Sequence, residues 1–156
     1  MFKTVVWATD GSEAADLALP YVTSLAKESG SAIVVLHVEE TFVGRAGGYP
    51  LRADAPDISA KIESQAEQLS GAGINARKMM LGGHAGGAAH RIAEAAKEVD
   101  ADLIVVGTRG HTAFAGLLVG SVTQRLLHLA PCPVLAVPAT GHTSKTEGSE
   151  AEAATA

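Results

Sequence analysis

Five short apolar runs, at Thr4–Ala8, Ile33–Val38, Ala76–Leu81, Leu103–Val106 and Val134–Val137, the central ones almost continuously aliphatic and β-branched, alternate along the chain with segments whose apolar residues return every three to four positions. The helical stripes are Ala14, Ala18, Tyr21, Val22 and Leu25, then Ile58, Ile62, Ala66 and Leu69. They continue with Ile92, Ala95, Ala96 and Val99, and end with Val122, Leu126 and Leu129. Runs that are aliphatic at every position belong to strands covered on both faces. Strand–helix alternation with short connections produces a parallel sheet with right-handed crossovers. The pattern predicts an open α/β sandwich, a single domain over residues 1–138, which suits a chain of 156 residues.

Local signals agree with that frame. Ser12, followed by Glu13 and Asp16, opens the first helix and Gly30 ends it; Asp57 is expected to cap the second, with Gly71 and Gly73 after it. Two stretches do not fit an element. Glu39 to Pro56 exceeds an ordinary connection and carries Gly44, Gly47, Gly48, Arg45 and Arg52, so a mobile lid or a disordered excursion is expected. From Ala139 to Ala156 nothing apolar is larger than alanine, and a disordered tail is expected.

Charge and composition remove several classes. A net charge of -5 opposes bulk attraction to nucleic acid or anionic lipid, and no apolar run approaches a membrane span. The lone cysteine, Cys132, allows no internal disulfide and reads as a small buried hydrophobe, and we expect a cytoplasmic chain without a signal peptide. Any anion site must then be local.

In an open parallel sheet, ligands bind outside the carboxyl ends of the strands. Those ends are polar or glycine-rich: Thr9-Asp10-Gly11-Ser12, Val38-Glu39, Gly82-Gly83-His84-Ala85-Gly86-Gly87, and Gly107-Thr108-Arg109-Gly110-His111. The spacing Gly107-x2-Gly110-x9-Gly120-Ser121 puts Ser121 where the last helix begins, with Gly120 at its cap, so an anionic oxygen could approach main-chain N–H groups with no Cβ in the way. No lysine follows a glycine as in a P-loop, and no G-x-G-x-x-G occurs. His37, inside the second strand, reads as a satisfied buried histidine and Trp7 as core; His84 and His111 read as loop residues, and His90 and His128 as helix surface.

Three stretches, Val5-Val6-Trp7-Ala8-Thr9-Asp10-Gly11-Ser12, the glycine motif, and Ala130-Pro131-Cys132-Pro133-Val134-Leu135-Ala136-Val137, resemble the universal stress protein family over residues 2–138, specifically its ATP-binding branch. The resemblance implies a five-stranded sheet in the order 3-2-1-4-5, a homodimer built partly through the last strand (residues 134–137), and an adenine nucleotide, ATP or AMP/ADP with Mg2+, lying across the strand ends. It implies that Asp10 meets the ribose hydroxyls or a metal, that Ala8 and Thr9 line the cleft, and that Val38 reads adenine through its backbone. Gly107, Thr108, Arg109 and Gly110 would surround the ribose-phosphate region, and Gly120, Ser121 and Val122 would contact phosphates. Gly83 would border the adenine. The chain departs from the family in having Gly82-Gly83-His84-Ala85-Gly86-Gly87 where Gly-x-Pro is common.

The function expected is a nucleotide-dependent stress or signalling homodimer. Hydrolysis is expected to be slow or absent, because no base accompanies Asp10 and no catalytic residue is assigned. Two other readings stay open: a nucleotide-independent interaction module, and an adenylyltransferase or ATP pyrophosphatase-like enzyme. The enzyme classes carry His-x-Gly-His or Ser-Gly-Gly-x-Asp-Ser after the first strand, where this chain has Thr9-Asp10-Gly11-Ser12.

Overall fold

The computed structural model describes residues 1–42, 51–52, 56–109 and 119–139. The elements are β1 (Thr4–Ala8), α1 (Glu13–Asp16), α2 (Leu19–Ser29), β2 (Ala32–Phe42), β3 (Leu51–Arg52), α3 (Pro56–Gly71), β4 (Ala76–His84), α4 (Ala88–Glu98), β5 (Leu103–Gly107), α5 (Ser121–Leu129) and β6 (Val134–Val137).

Five strands run parallel in the order β4-β2-β1-β5-β6, the 3-2-1-4-5 order of the resemblance. The central strand β1 pairs with β2 from Thr4↔Ala32 to Ala8↔Leu36 and with β5 from Val5↔Leu103 to Ala8↔Val106. Its four buried positions, Val5, Val6, Trp7 and Ala8, point alternately to the two faces and feed two separate cores. One core joins Val5 and Trp7 to Val22 and Ala26 of α2 and to Ile62, Ala66 and Leu69 of α3. The other joins Val6 and Ala8 to Ala89, Ile92 and Ala96 of α4 and to Leu126 of α5. A residue as fully buried as Ile62 contributes about 1.5–3 kcal/mol through desolvation alone.

Several sequence expectations are corrected in detail. The first helix is two pieces, because Pro20 has no N–H to give Asp16 and its ring crowds that carbonyl; the chain restarts with Pro20 in the first turn of α2. The break rotates Tyr21 off the apolar stripe, leaving it 53% exposed. Gly30 ends α2 in the left-handed region at φ 66°, as expected. Asp57 lies inside the first turn of α3 and does not cap it, since the helix starts at Pro56. Cys132 is half-buried, and burial followed by the charge of Asp102 holds its thiol above the ordinary range.

The segment Glu39 to Pro56 is less irregular than expected. β2 continues to Phe42, and Leu51–Arg52 pairs antiparallel with Thr41 and Phe42. Thr41 also pairs with His84 of β4, so β3 occupies the other edge of β2, the edge that β1 uses lower in the sheet. Residues 43–50 and 53–55, including Arg45, lie outside the described residues, as does the expected tail beyond Ala139.

Candidate functional site

Strand order reverses between β1 and β5: the chain winds outward from β1 through β2 to β4, then crosses back to β5 and β6. The carboxyl ends of β1 and β5 therefore flank the crevice where open α/β sheets take their ligands.

At the β1 end, Thr9 extends the sheet by one bond, its N–H donating to Leu36 O at 2.9 Å. Its carbonyl accepts from His37 Nδ1 at 2.8 Å, so this buried histidine is a satisfied structural group. The chain then turns tightly. Gly11 N donates to Thr9 Oγ1 at 3.1 Å, and Gly11 takes φ 77°, a conformation that favours glycine. Asp10 Oδ1 accepts from Ser12 N at 3.0 Å and from Ser12 Oγ at 2.6 Å, while Ser12 Oγ accepts from Ala15 N and caps α1. The Asp10 carboxylate is thus oriented by its own turn and remains partly accessible.

At the β5 end, Gly107 is set by close approach. A Cβ there would lie 3.1 Å from Arg109 O, 3.3 Å from Ala14 O and 3.3 Å from Ala15 Cα, so glycine lets α1 lie this close to the end of β5 without a shift of backbone. Thr108 N donates to Val137 O at 2.8 Å, and Thr108 O accepts from Gly120 N at 2.6 Å. Residues far apart in the glycine motif are therefore in direct contact. Thr123 Oγ1 donates to Gly107 O at 2.9 Å and locks the first turn of α5 onto the strand end.

The Gly120 amide is engaged by Thr108, and its φ of -68° needs no glycine. The first intrahelical bond of α5 is Gln124 N to Gly120 O, and Gly120 supplies no side-chain cap. The amides ahead of that bond belong to Ser121, Val122 and Thr123, the ordinary donors of a helix N-terminus. Ser121 and Val122 are exposed there; Val122 is not on the buried face its spacing suggested, and Thr123 and Leu126 form that face instead. Arg109 is half-buried beside this turn.

Two further ends complete the row. Val38 is buried on β2, and a Cβ on Gly83 would lie 3.0 Å from Val38 Cγ1. Gly82 and Gly83 are strand residues of β4, paired with Glu39 and Glu40, where the sequence suggested a loop. Glu40 Oε1 accepts from Ala88 N at 3.2 Å at the start of α4. The row β4-β2-β1-β5 spans three strand spacings, about 14 Å, which suits an elongated ligand lying across the strands.

Gly110 and His111 lie outside the described residues; Arg52 is placed by its backbone on β3. His84 ends β4 exposed, and His90 and His128 are exposed on helices. Among the described residues, no group of three His, Cys, Asp or Glu side chains is arranged to hold a metal, and no helix is long and apolar enough to cross a membrane. Sequence reasoning missed the polar contacts that reach the site from distant elements: Lys61 and Gln65 on α3, and Arg125, whose Nη1 donates to Gly86 O at 2.6 Å. Their spacing carries no motif, and only the packed fold brings them near.

An open α/β sheet with an anion-competent helix N-terminus at its switch point defines the class. Residues 1–138 match the model of the universal stress protein family, and the chain belongs to that family. It is 32% identical over 146 residues to universal stress protein MJ0531 of Methanocaldococcus jannaschii, covering 88% of this chain and 82% of that protein. It is 35% identical over 139 residues to universal stress protein Sll1654 of Synechocystis, covering 88% and 87%. Among solved structures, MJ0577 superposes with a TM-score of 0.72 at 23% identity, covering 88% of this chain and 96% of that one. A universal stress protein in complex with cAMP superposes with a TM-score of 0.64 at 26% identity, covering 89% and 98%.

Proposed function

We propose that this chain is an adenine-nucleotide-binding member of the ATP-binding branch, acting as a homodimer whose occupancy by ATP, ADP or AMP alters its stability or partner choice. The observation that carries this reading is the contact between Thr108 and Gly120, which sets the first turn of α5 beside the β5 end, one strand from Asp10. The relative crystallised with cAMP supports an adenine nucleotide as the ligand class.

In this reading Asp10 accepts the ribose hydroxyls, a task for which a carboxylate has ample lone pairs. Ala8 and Thr9 line the cleft floor, Val38 and Gly83 border the base, and Gly107, Thr108, Arg109 and Gly110 flank the ribose-phosphate. Ser121, Val122 and Thr123 offer amides to the phosphates, helped by the α5 dipole. Mg2+ fits Asp10 without a protein cluster, since this ion is commonly held by one or two carboxylates together with substrate phosphates. With Asp10 given to the ribose hydroxyls and Mg2+, this reading assigns no separate general base, and it expects turnover to be very slow or nil. Dimerisation through β6 is the proposed assembly, supported by that strand pairing, among the described residues, with β5 alone and by Leu135 at 37% exposure.

Calorimetric titration of the nucleotide-free protein with ATP, AMP and GTP tests the reading. Saturable binding of the adenine nucleotides, weaker for GTP, is expected; no heat with any of them at millimolar concentration overturns it.

A further inference from the structure

One stripe of helix α3 sets Ile58 and Lys61 against the turn that carries Asp10 and Gln65 against Asp16 at the end of α1. A Cβ added to Gly11 would lie 3.3 Å from Ile58 Cγ2, so Ile58 is already in contact with that turn. Lys61 Nζ donates to Gly11 O at 2.7 Å and pairs with Asp16 Oδ2 at 2.5 Å. Gln65 Nε2 donates to Asp16 Oδ1 at 2.8 Å. The peptide joining Gly11 to Ser12 is therefore gripped from both sides: its oxygen by Lys61, its N–H by Asp10 Oδ1 at 3.0 Å. That peptide follows a glycine at φ 77°, where few steric restraints fix its plane.

From this geometry we infer that Lys61 is a positioning residue for ligand recognition: by fixing the Gly11–Ser12 peptide it sets the direction in which the Asp10 carboxylate presents itself to the ligand's hydroxyls. The inference rests on the nucleotide-binding reading and deepens it. The same helix carries a second ion pair, in which its Glu63 meets Lys78 of β4. It is the natural control, because Lys78→Met removes a comparable half-exposed ammonium that pairs with a carboxylate of the same helix.

The experiment compares ATP with 2′,3′-dideoxyadenosine triphosphate, which lacks both ribose hydroxyls, by calorimetry on the wild type, Lys61→Met, Lys61→Arg and Lys78→Met, with melting temperatures recorded for each. Wild type is expected to prefer ATP by about tenfold or more, the size of a hydrogen bond to a charged acceptor. Lys61→Met is expected to bring that preference close to unity while binding of the dideoxy compound stays near the wild-type value. Lys61→Arg restores part of the preference, and Lys78→Met keeps all of it. A purely structural role would lower the melting temperature and leave the ratio unchanged, and an unchanged ratio in Lys61→Met overturns the inference. Should Lys61→Met fail to fold, Lys61→Arg decides, since a shifted donor is expected to reduce the ratio and an intact ratio refutes it. If the wild type binds neither compound, the nucleotide reading itself falls, and the inference with it. If it binds both equally, the role given to Asp10 falls and takes the inference with it.

Discussion

Replacing Ser121 with aspartate separates ligand binding from folding in a single substitution. Ser121 is the first residue of α5, exposed, and a carboxylate in a first helical turn interacts favourably with the helix dipole by about 0.3–1 kcal/mol. The unliganded variant is therefore expected to melt at the wild-type temperature or slightly above it. A phosphate on the Val122 and Thr123 amides would lie about 5 Å from the new carboxylate, little more than the spacing of about 3.8 Å between neighbouring Cα atoms. Two like charges at about 5 Å repel by roughly 1 kcal/mol in water-like surroundings and roughly 3 kcal/mol at the effective dielectric of a protein surface. ATP affinity should then fall by roughly 5- to 150-fold, while adenosine, which has no phosphate, should bind as before. Calorimetry with ATP and adenosine on wild type, Ser121→Asp and the neutral Ser121→Asn provides the assay. Unchanged ATP affinity in Ser121→Asp, or an equal loss for adenosine, would refute the placement of phosphates on α5.

Three further outcomes follow from other parts of the molecule. Gly107→Ala puts a Cβ 3.1–3.3 Å from backbone atoms of Ala14 and Ala15 in α1 and of Arg109 and should destabilise by about 1–3 kcal/mol in urea unfolding; a loss below experimental error would show that α1 can move away freely. Asp102 accepts the N–H groups of Thr4 and Lys3 at 2.9 and 2.7 Å, and these bonds hold its carboxyl below the usual carboxylate range. The folded pKa being the lower, its contribution is present above the unfolded value and lost as pH falls through the folded one, so wild type and Asp102→Asn should differ in unfolding free energy near neutrality and converge in acid. A gap that widens on acidification contradicts this. If the proposed dimer forms through β6, Leu135→Glu should sediment as a monomer in analytical ultracentrifugation where the wild type sediments as a dimer; identical sedimentation of the two contradicts the proposed interface.

Much of this fold was legible because two-sided burial leaves a strong trace in sequence. Val5 to Ala8 and Leu103 to Val106 are aliphatic or aromatic at every position because helices cover both faces of the sheet. The break between α1 and α2 was also readable in principle, in Pro20, but the apolar spacing on either side disguised it. The extent of β2 and β4 was harder to read. Glu39, Glu40 and the pair Gly82-Gly83 have low strand propensity, and their pairing supports the strand where local preference does not. At the site, the glycine motif indicated that Gly107 and Gly120 act together, whereas nothing local announced that Gly120's amide is taken by Thr108. Lys61 was equally invisible: a lysine on a helix usually means solvent, and its contact with Gly11 depends on how α3 lies across the turn.

Nucleotide retention by the protein itself tests the central claim most directly. Protein purified without added nucleotide is denatured, the released small molecules are identified by mass spectrometry, and the emptied protein is then melted with and without ATP. The account predicts that adenine nucleotide is released, or failing that, that ATP raises the melting temperature through binding to the folded state alone. An empty protein whose melting temperature is indifferent to ATP would contradict it and leave an interaction module built on the same sheet.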